Sequence, residues 1–179
     1  MPRLFTGIEV PADIGAVLFM KRGGLPGARW IDAENYHITL RFVGDVDQVT
    51  AVEISRALEK QMGIAPFRVR LTSLDIFGGR KPRSLFVRIA ENAELTRLYA
   101  AQERAIQRIG LVPDRRKFIP HITLARLTGV GASQVGRYMS EAGWFEPLEF
   151  EVRRFALFSA RGAVGGGPYV AERTYDLEG

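Results

Sequence analysis

The run His-Ile-Thr-Leu occurs at residues 37–40 and again at 121–124, and the whole 179-residue chain contains only two histidines. Ordinary residue frequencies make Ile-Thr-Leu after a given histidine roughly a one-in-a-few-thousand event, so the repetition asks for a structural cause. Both copies sit among strand-forming residues. Alternate side chains of a strand point to opposite faces. Ile38 and Leu40 can therefore enter a core while His37 and Thr39 present an imidazole and a hydroxyl on the other side, and Ile122, Leu124, His121 and Thr123 do the same.

The surrounding pattern places these words in an α+β chain. "RLFTGIEV" alternates as a strand, and the segment after Pro11 reads as a helix running to the Gly23-Gly24 pair. "DVDQVTAVEISRALEKQMG" predicts a helix capped by Asp45 or Asp47 and ending at Gly63, and "NAELTRLYAAQERAIQRIGL" a second, capped by Asn92 and ending near Gly110. "FRVRLTSLDIF" and "SLFVRIA" flank the loop "GGRKPR" as an antiparallel pair. A shorter helix around "ASQVGRYMSEAG" leads to "LEFEVRRFALFSAR" and "PYVAERTYDL", two strands separated by the glycine-rich "GAVGGG".

Laid side by side, the halves echo one another: a His-Ile-Thr-Leu strand, a helix, then alternating strands. The expected fold is α+β and bilobal, a pseudo-twofold duplication with two antiparallel sheets facing a central cleft and helices packed outside. No linker divides the halves, so residues 1–179 are expected to form a single bilobal domain. The chain is long enough to bury a core without staples. The opening residues carry no apolar run of signal-peptide length, and no later segment reaches membrane-span length, so a soluble, cytoplasmic protein is expected. Nothing calls for an obligate interface, and a monomer is expected.

Chemistry follows from what the polar faces share. If the two strands meet across a cleft, two imidazoles that titrate near ~6.5 can serve as general base and general acid at neutral pH. Two threonine hydroxyls and a nearby cation can hold phosphate oxygens. The formal net charge is +5, with Arg80, Lys81 and Arg83, then Arg115, Arg116 and Lys117, then Arg126 close to the motifs. That placement favours a polyanionic partner such as RNA. With no cysteine and no third histidine, and with no carboxylate cluster beside either word, neither a metal site nor any other cofactor is expected. A serine nucleophile lacks its G-x-S-x-G turn, and the glycine run lacks the lysine of a nucleotide loop.

Paired H-x-T-x words in the two halves of a cysteine-free chain resemble the 2H phosphoesterases. The flanks "RLFTGIEVP", "RWIDAENYHITLRFVGD" and "RRKFIPHITLAR" are most similar to the RNA 2′,3′-cyclic phosphodiesterase branch, also called 2′-5′ RNA ligase. The resemblance implies metal-independent hydrolysis of an RNA terminal 2′,3′-cyclic phosphate to a 2′-phosphate, with reverse 2′-5′ ligation as the same chemistry run backwards. It casts His37 as general acid, His121 as general base, and Thr39, Thr123 and Arg126 as phosphate ligands. It also makes Phe42 an aromatic that lies against the nucleobase, although strict alternation would put Phe42 on the buried face with Leu40. Tyr175 stands where relatives often carry tryptophan. Two further readings stay open: a non-catalytic module that grips RNA ends or phosphate, and a phosphodiesterase for another small phosphodiester such as a 2′-5′ oligonucleotide.

Overall fold

A computed structural model describes residues 1–60, 63–142, 145–160 and 167–179. Most of the glycine-rich segment expected to turn the last hairpin, 162–166, lies outside the described residues. The strands are β1 (Arg3–Glu9), β2 (Ala28–Trp30), β3 (His37–Asp45), β4 (Phe67–Phe77), β5 (Ser84–Ile89), β6 (His121–Leu127), β7 (Leu148–Val152), β8 (Arg154–Ala160) and β9 (Tyr169–Asp176). The helices are α1 (Ala12–Phe19), α2 (Gln48–Leu58), α3 (Ala93–Arg108) and α4 (Ala132–Glu141).

Local chemistry accounts for the helix ends. Asp47 accepts a hydrogen bond from the Thr50 amide at 2.7 Å, and Asn92 from the Leu95 amide at 2.9 Å, so both act as N-caps. Helix α1 begins just after Pro11, whose carbonyl accepts from the Gly15 amide. It stops at Phe19, short of the glycine pair, because Lys21 and Arg22 close tighter turns onto Leu18 and Phe19. Leu95, Leu98, Gln102 and Ile106 form the buried stripe of α3 at helical spacing. Among the described residues, no helix is long and apolar enough to cross a membrane.

The strands form one antiparallel ladder in the order β7-β4-β5-β6-β3-β1-β8-β9, with β2 added against β6. Two antiparallel sheets facing a central cleft were expected. Instead the groups β7-β4-β5-β6 and β3-β1-β8-β9 are continuous through the bridge Ile38↔Ile122, between the two His-Ile-Thr-Leu strands themselves. Connectivity also departs from the simple echo. The β4-β5 pair, which follows the first motif in sequence, lies beside the second motif strand, and β8-β9, which follow the second, lie beside the first. The run "LEFEVRRFALFSA" is accordingly two strands broken at Arg153, because β7 pairs with β4 while β8 pairs with β1. Ile38, Leu40, Ile122 and Leu124 are all buried in the main core. Tyr175 packs into the same core, stacked on Phe155 at 4.8 Å with its hydroxyl donating to the Ser55 carbonyl at 3.1 Å.

Candidate active site

The bridge between β3 and β6 sets the geometry of the motifs. Carrying the register one residue either way from Ile38↔Ile122 puts His37 opposite Thr123 and Thr39 opposite His121. The two histidines are then diagonal neighbours, and such positions stand about 7–8 Å apart on an antiparallel pair. That separation leaves room for a phosphate between the rings.

Each motif strand also carries a β-bulge just beyond its threonine. On β3, Gly7 pairs with Thr39 and Thr6 with Arg41, so Leu40 is the extra residue. On β6, Phe86 pairs with Thr123 and Leu85 with Ala125, so Leu124 is extra. A bulge shifts the alternation by one residue. Leu40 and Arg41 are both buried, as are Leu124 and Ala125, and the next residue returns to the histidine face. Those returning residues are Phe42 and Arg126, five positions after their respective histidines. Strict alternation places Phe42 in the core. The bulge overrides it, and Phe42 is 38% exposed.

Both imidazoles are held the same way. His37 Nδ1 lies 2.8 Å from the Asn35 carbonyl and His121 Nδ1 lies 2.6 Å from the Ile119 carbonyl. A carbonyl only accepts, so each Nδ1 carries the proton and each Nε2 is the atom of the neutral ring that can take one. Thr39 Oγ1 sits 2.9 Å from His37 Nε2, and no equivalent bond joins Thr123 to His121 among the described residues. Aromatic rings hold both imidazoles. Phe5 and Tyr169 stand at 4.9 and 5.0 Å from His37, and Phe77 and Phe86 at 4.9 and 5.1 Å from His121. Burial in this apolar setting pushes His37 down to about 4, against the opposing pull of the Asn35 carbonyl. Burial lowers His121 as well, against the Ile119 carbonyl, and the Arg126 charge adds to the lowering of both.

Two adjoining cavities share Thr39, Phe42 and Arg126. The smaller, about 170 Å³, includes His37, Phe5, Arg3 and Tyr169. The wider, about 450 Å³, includes His121, Phe77, Tyr99, Arg116, Lys117 and Phe118. His37, Thr39, Phe42, His121 and Arg126 are therefore brought to one cleft. Thr123 is half-buried on the same strand face but lines neither cavity. Of the basic segments, Arg116 and Lys117 reach the cleft, whereas Arg80, Lys81 and Arg83 line neither cavity. Among the described residues no group of three or more His, Cys, Asp or Glu side chains is placed to hold a metal ion.

Residues 26–163, which span both motifs, match the 2′-5′ RNA ligase superfamily. The chain belongs to that superfamily. A Bacillus subtilis relative, an RNA 2′,3′-cyclic phosphodiesterase, is 32% identical over 88% of this chain and 87% of its own length. An Aquifex aeolicus protein of the same name is 28% identical over 84% of this chain and 82% of its own. E. coli LigT, solved with 3′-AMP, superposes with a TM-score of 0.77 at 25% identity, covering 99% of both chains. Within this superfamily member, the residues that sequence reasoning missed are those recruited from other strands. The ring cage around the histidines comes from Phe5, Phe77, Phe86, Phe158 and Tyr169, and the two tautomer-fixing carbonyls are backbone groups with no sequence signature.

Proposed function

We propose that residues 1–179 act as one bilobal domain that hydrolyses a terminal 2′,3′-cyclic phosphate of RNA to a 2′-phosphate without a metal. The observation that carries this reading is the pair of imidazoles, each with Nδ1 tied to a carbonyl two residues upstream, which makes Nε2 the proton-transfer atom of both rings. The names of the bacterial relatives, and similarity over more than four-fifths of both chains, support the substrate class. A water oxygen attacks phosphorus, the P–O3′ bond breaks, His121 Nε2 takes the water proton, and His37 Nε2 delivers a proton to O3′. His121 is given the base role because no threonine hydroxyl occupies its Nε2. Thr39, Thr123 and Arg126 hold the non-bridging oxygens, and Phe42 lies against the terminal base. Reversal of the same steps with a 5′-hydroxyl in place of water forms a 2′-5′ linkage.

The lowered His37 is compatible with an acid role once substrate is present. An anion about 4 Å away is worth roughly 4 kcal/mol at an effective dielectric of 20, which is about three pKa units. That is enough to bring His37 from about 4 into the neutral range. Substrate binding is therefore coupled to proton uptake at the acid.

The test is incubation of EDTA-treated protein with an RNA oligonucleotide ending in a 2′,3′-cyclic phosphate, with the product terminus compared against 2′- and 3′-phosphate standards. A 2′-phosphate is expected. His37→Ala and His121→Ala should each lower turnover by about 10²–10⁴. A 3′-phosphate product would overturn the leaving-group assignment, and binding without turnover would leave a module that only grips RNA ends.

A further inference from the structure

The two halves of the cleft are unequal. Small-molecule sites usually occupy roughly 300–1,000 Å³. The cavity beside His37, about 170 Å³, is below that range, while the one beside His121, about 450 Å³, is inside it. The wider cavity extends past the residues that the reaction needs. Its wall includes Tyr99 on α3 and Phe118, stacked at 4.3 Å and 4° between planes. Its rim carries the exposed cations Arg116 and Lys117.

This rim is built on a buried frame. Arg41, put inside by the β3 bulge, pairs with Glu103 of α3 and donates to the carbonyls of Phe42 and Val112. Glu103 in turn accepts from the Asp114 amide at 3.0 Å. Asp114 accepts from the Arg116 amide at 3.0 Å and from its guanidinium at 3.2 Å. The Arg116 guanidinium then stands 5.5 Å from the centre of the Phe42 ring. Lys117 has no ion-pair partner among the described residues, so its charge is available to an incoming anion. An arginine tied to Asp114, a lysine without an ion-pair partner among the described residues and an aromatic wall, in the cavity that His121 also lines, are the parts that single-stranded nucleic-acid sites combine.

We infer that the wider cavity is a second-nucleotide subsite. It takes the nucleotide that precedes the cyclic-phosphate-bearing one, with its base against the Tyr99–Phe118 wall and the linking phosphodiester against Arg116 and Lys117. This rests on the proposed cyclic phosphodiesterase activity and adds where the strand is held beyond its terminal nucleotide.

The test compares kcat/KM for a nucleoside 2′,3′-cyclic phosphate with that for a dinucleotide carrying the same terminus. Stacking on one aromatic platform predicts a preference for the dinucleotide of roughly tenfold or more. Tyr99→Ala and Lys117→Ala should each shrink that ratio, and Tyr99→Phe should preserve it. Lys117→Ala should also flatten the salt dependence of the dinucleotide value. Lys117 is exposed, so its variant reports even if Tyr99→Ala does not fold. A wild-type ratio near one overturns the subsite and leaves the activity standing. If neither substrate is cleaved, the activity assignment fails, and the subsite is decided by affinity: equal binding of a 2′-phosphorylated mononucleotide and dinucleotide overturns it.

Discussion

His37→Asn isolates the titration of one buried imidazole. The asparagine amide nitrogen can replace Nδ1 as donor to the Asn35 carbonyl, while the ionisation disappears. In the folded protein His37 lies at about 4, against 6.5 for an unperturbed histidine. A depressed folded pKa means that the fold favours the neutral ring. The stabilisation is complete above pH 6.5 and is lost as pH falls towards about 4. At 1.36 kcal/mol per unit, the full traverse is worth about 3 kcal/mol, of which about 2–3 kcal/mol falls between about pH 7 and about pH 4.5. Urea unfolding of wild type and variant at those two pH values measures it. The paired carboxylates titrate in both proteins, so their contributions cancel in the difference, while the His121 charge, which adds to the lowering of His37, belongs to the effect being measured. The wild type should lose about 2–3 kcal/mol more than the variant on acidification. Parallel losses would refute the burial of a neutral His37 and, with it, the need for substrate charge to protonate the acid.

Other outcomes follow from the same geometry. Glu103→Ala leaves the Arg41 guanidinium buried without its carboxylate, and unfolding should be easier by about 3–5 kcal/mol in chemical denaturation. Gly7→Ala would bring a Cβ to 2.8 Å from the Ile38 carbonyl and 3.5 Å from His37 Cδ2. It should cost about 1–3 kcal/mol of stability and lower turnover on cyclic-phosphate RNA as β1 and β3 shift beside the imidazole. Overnight dialysis against EDTA should leave turnover unchanged; loss restored by a divalent ion would reinstate a metal role.

Much of the site was legible in residues 37–40 and 121–124 because strand alternation is a local rule. It needs no knowledge of partners to put Ile38 and Leu40 inside and His37 and Thr39 together. The cap Asn92 was readable for the same reason, and the other cap was narrowed to Asp45 or Asp47, since a side chain reaching an amide three residues on is settled within one helical turn. The α+β class followed from counting such segments.

What the tertiary structure decided is everything that depends on which strand lies alongside. Alternation alone puts Arg41 on the histidine face and Phe42 in the core. Pairing with β1 inserts Leu40 as a bulge, which buries Arg41 against Glu103 and turns Phe42 out to the cleft. The same event on β6, set by pairing with β5, delivers Arg126. Exchange of β4-β5 and β8-β9 between the motif strands, and the rings gathered around each imidazole, likewise come from contacts far apart in the chain. A strand's own residues specify its two faces; where its register slips, and what then shares a face with the histidine, is set by the neighbour it hydrogen-bonds to.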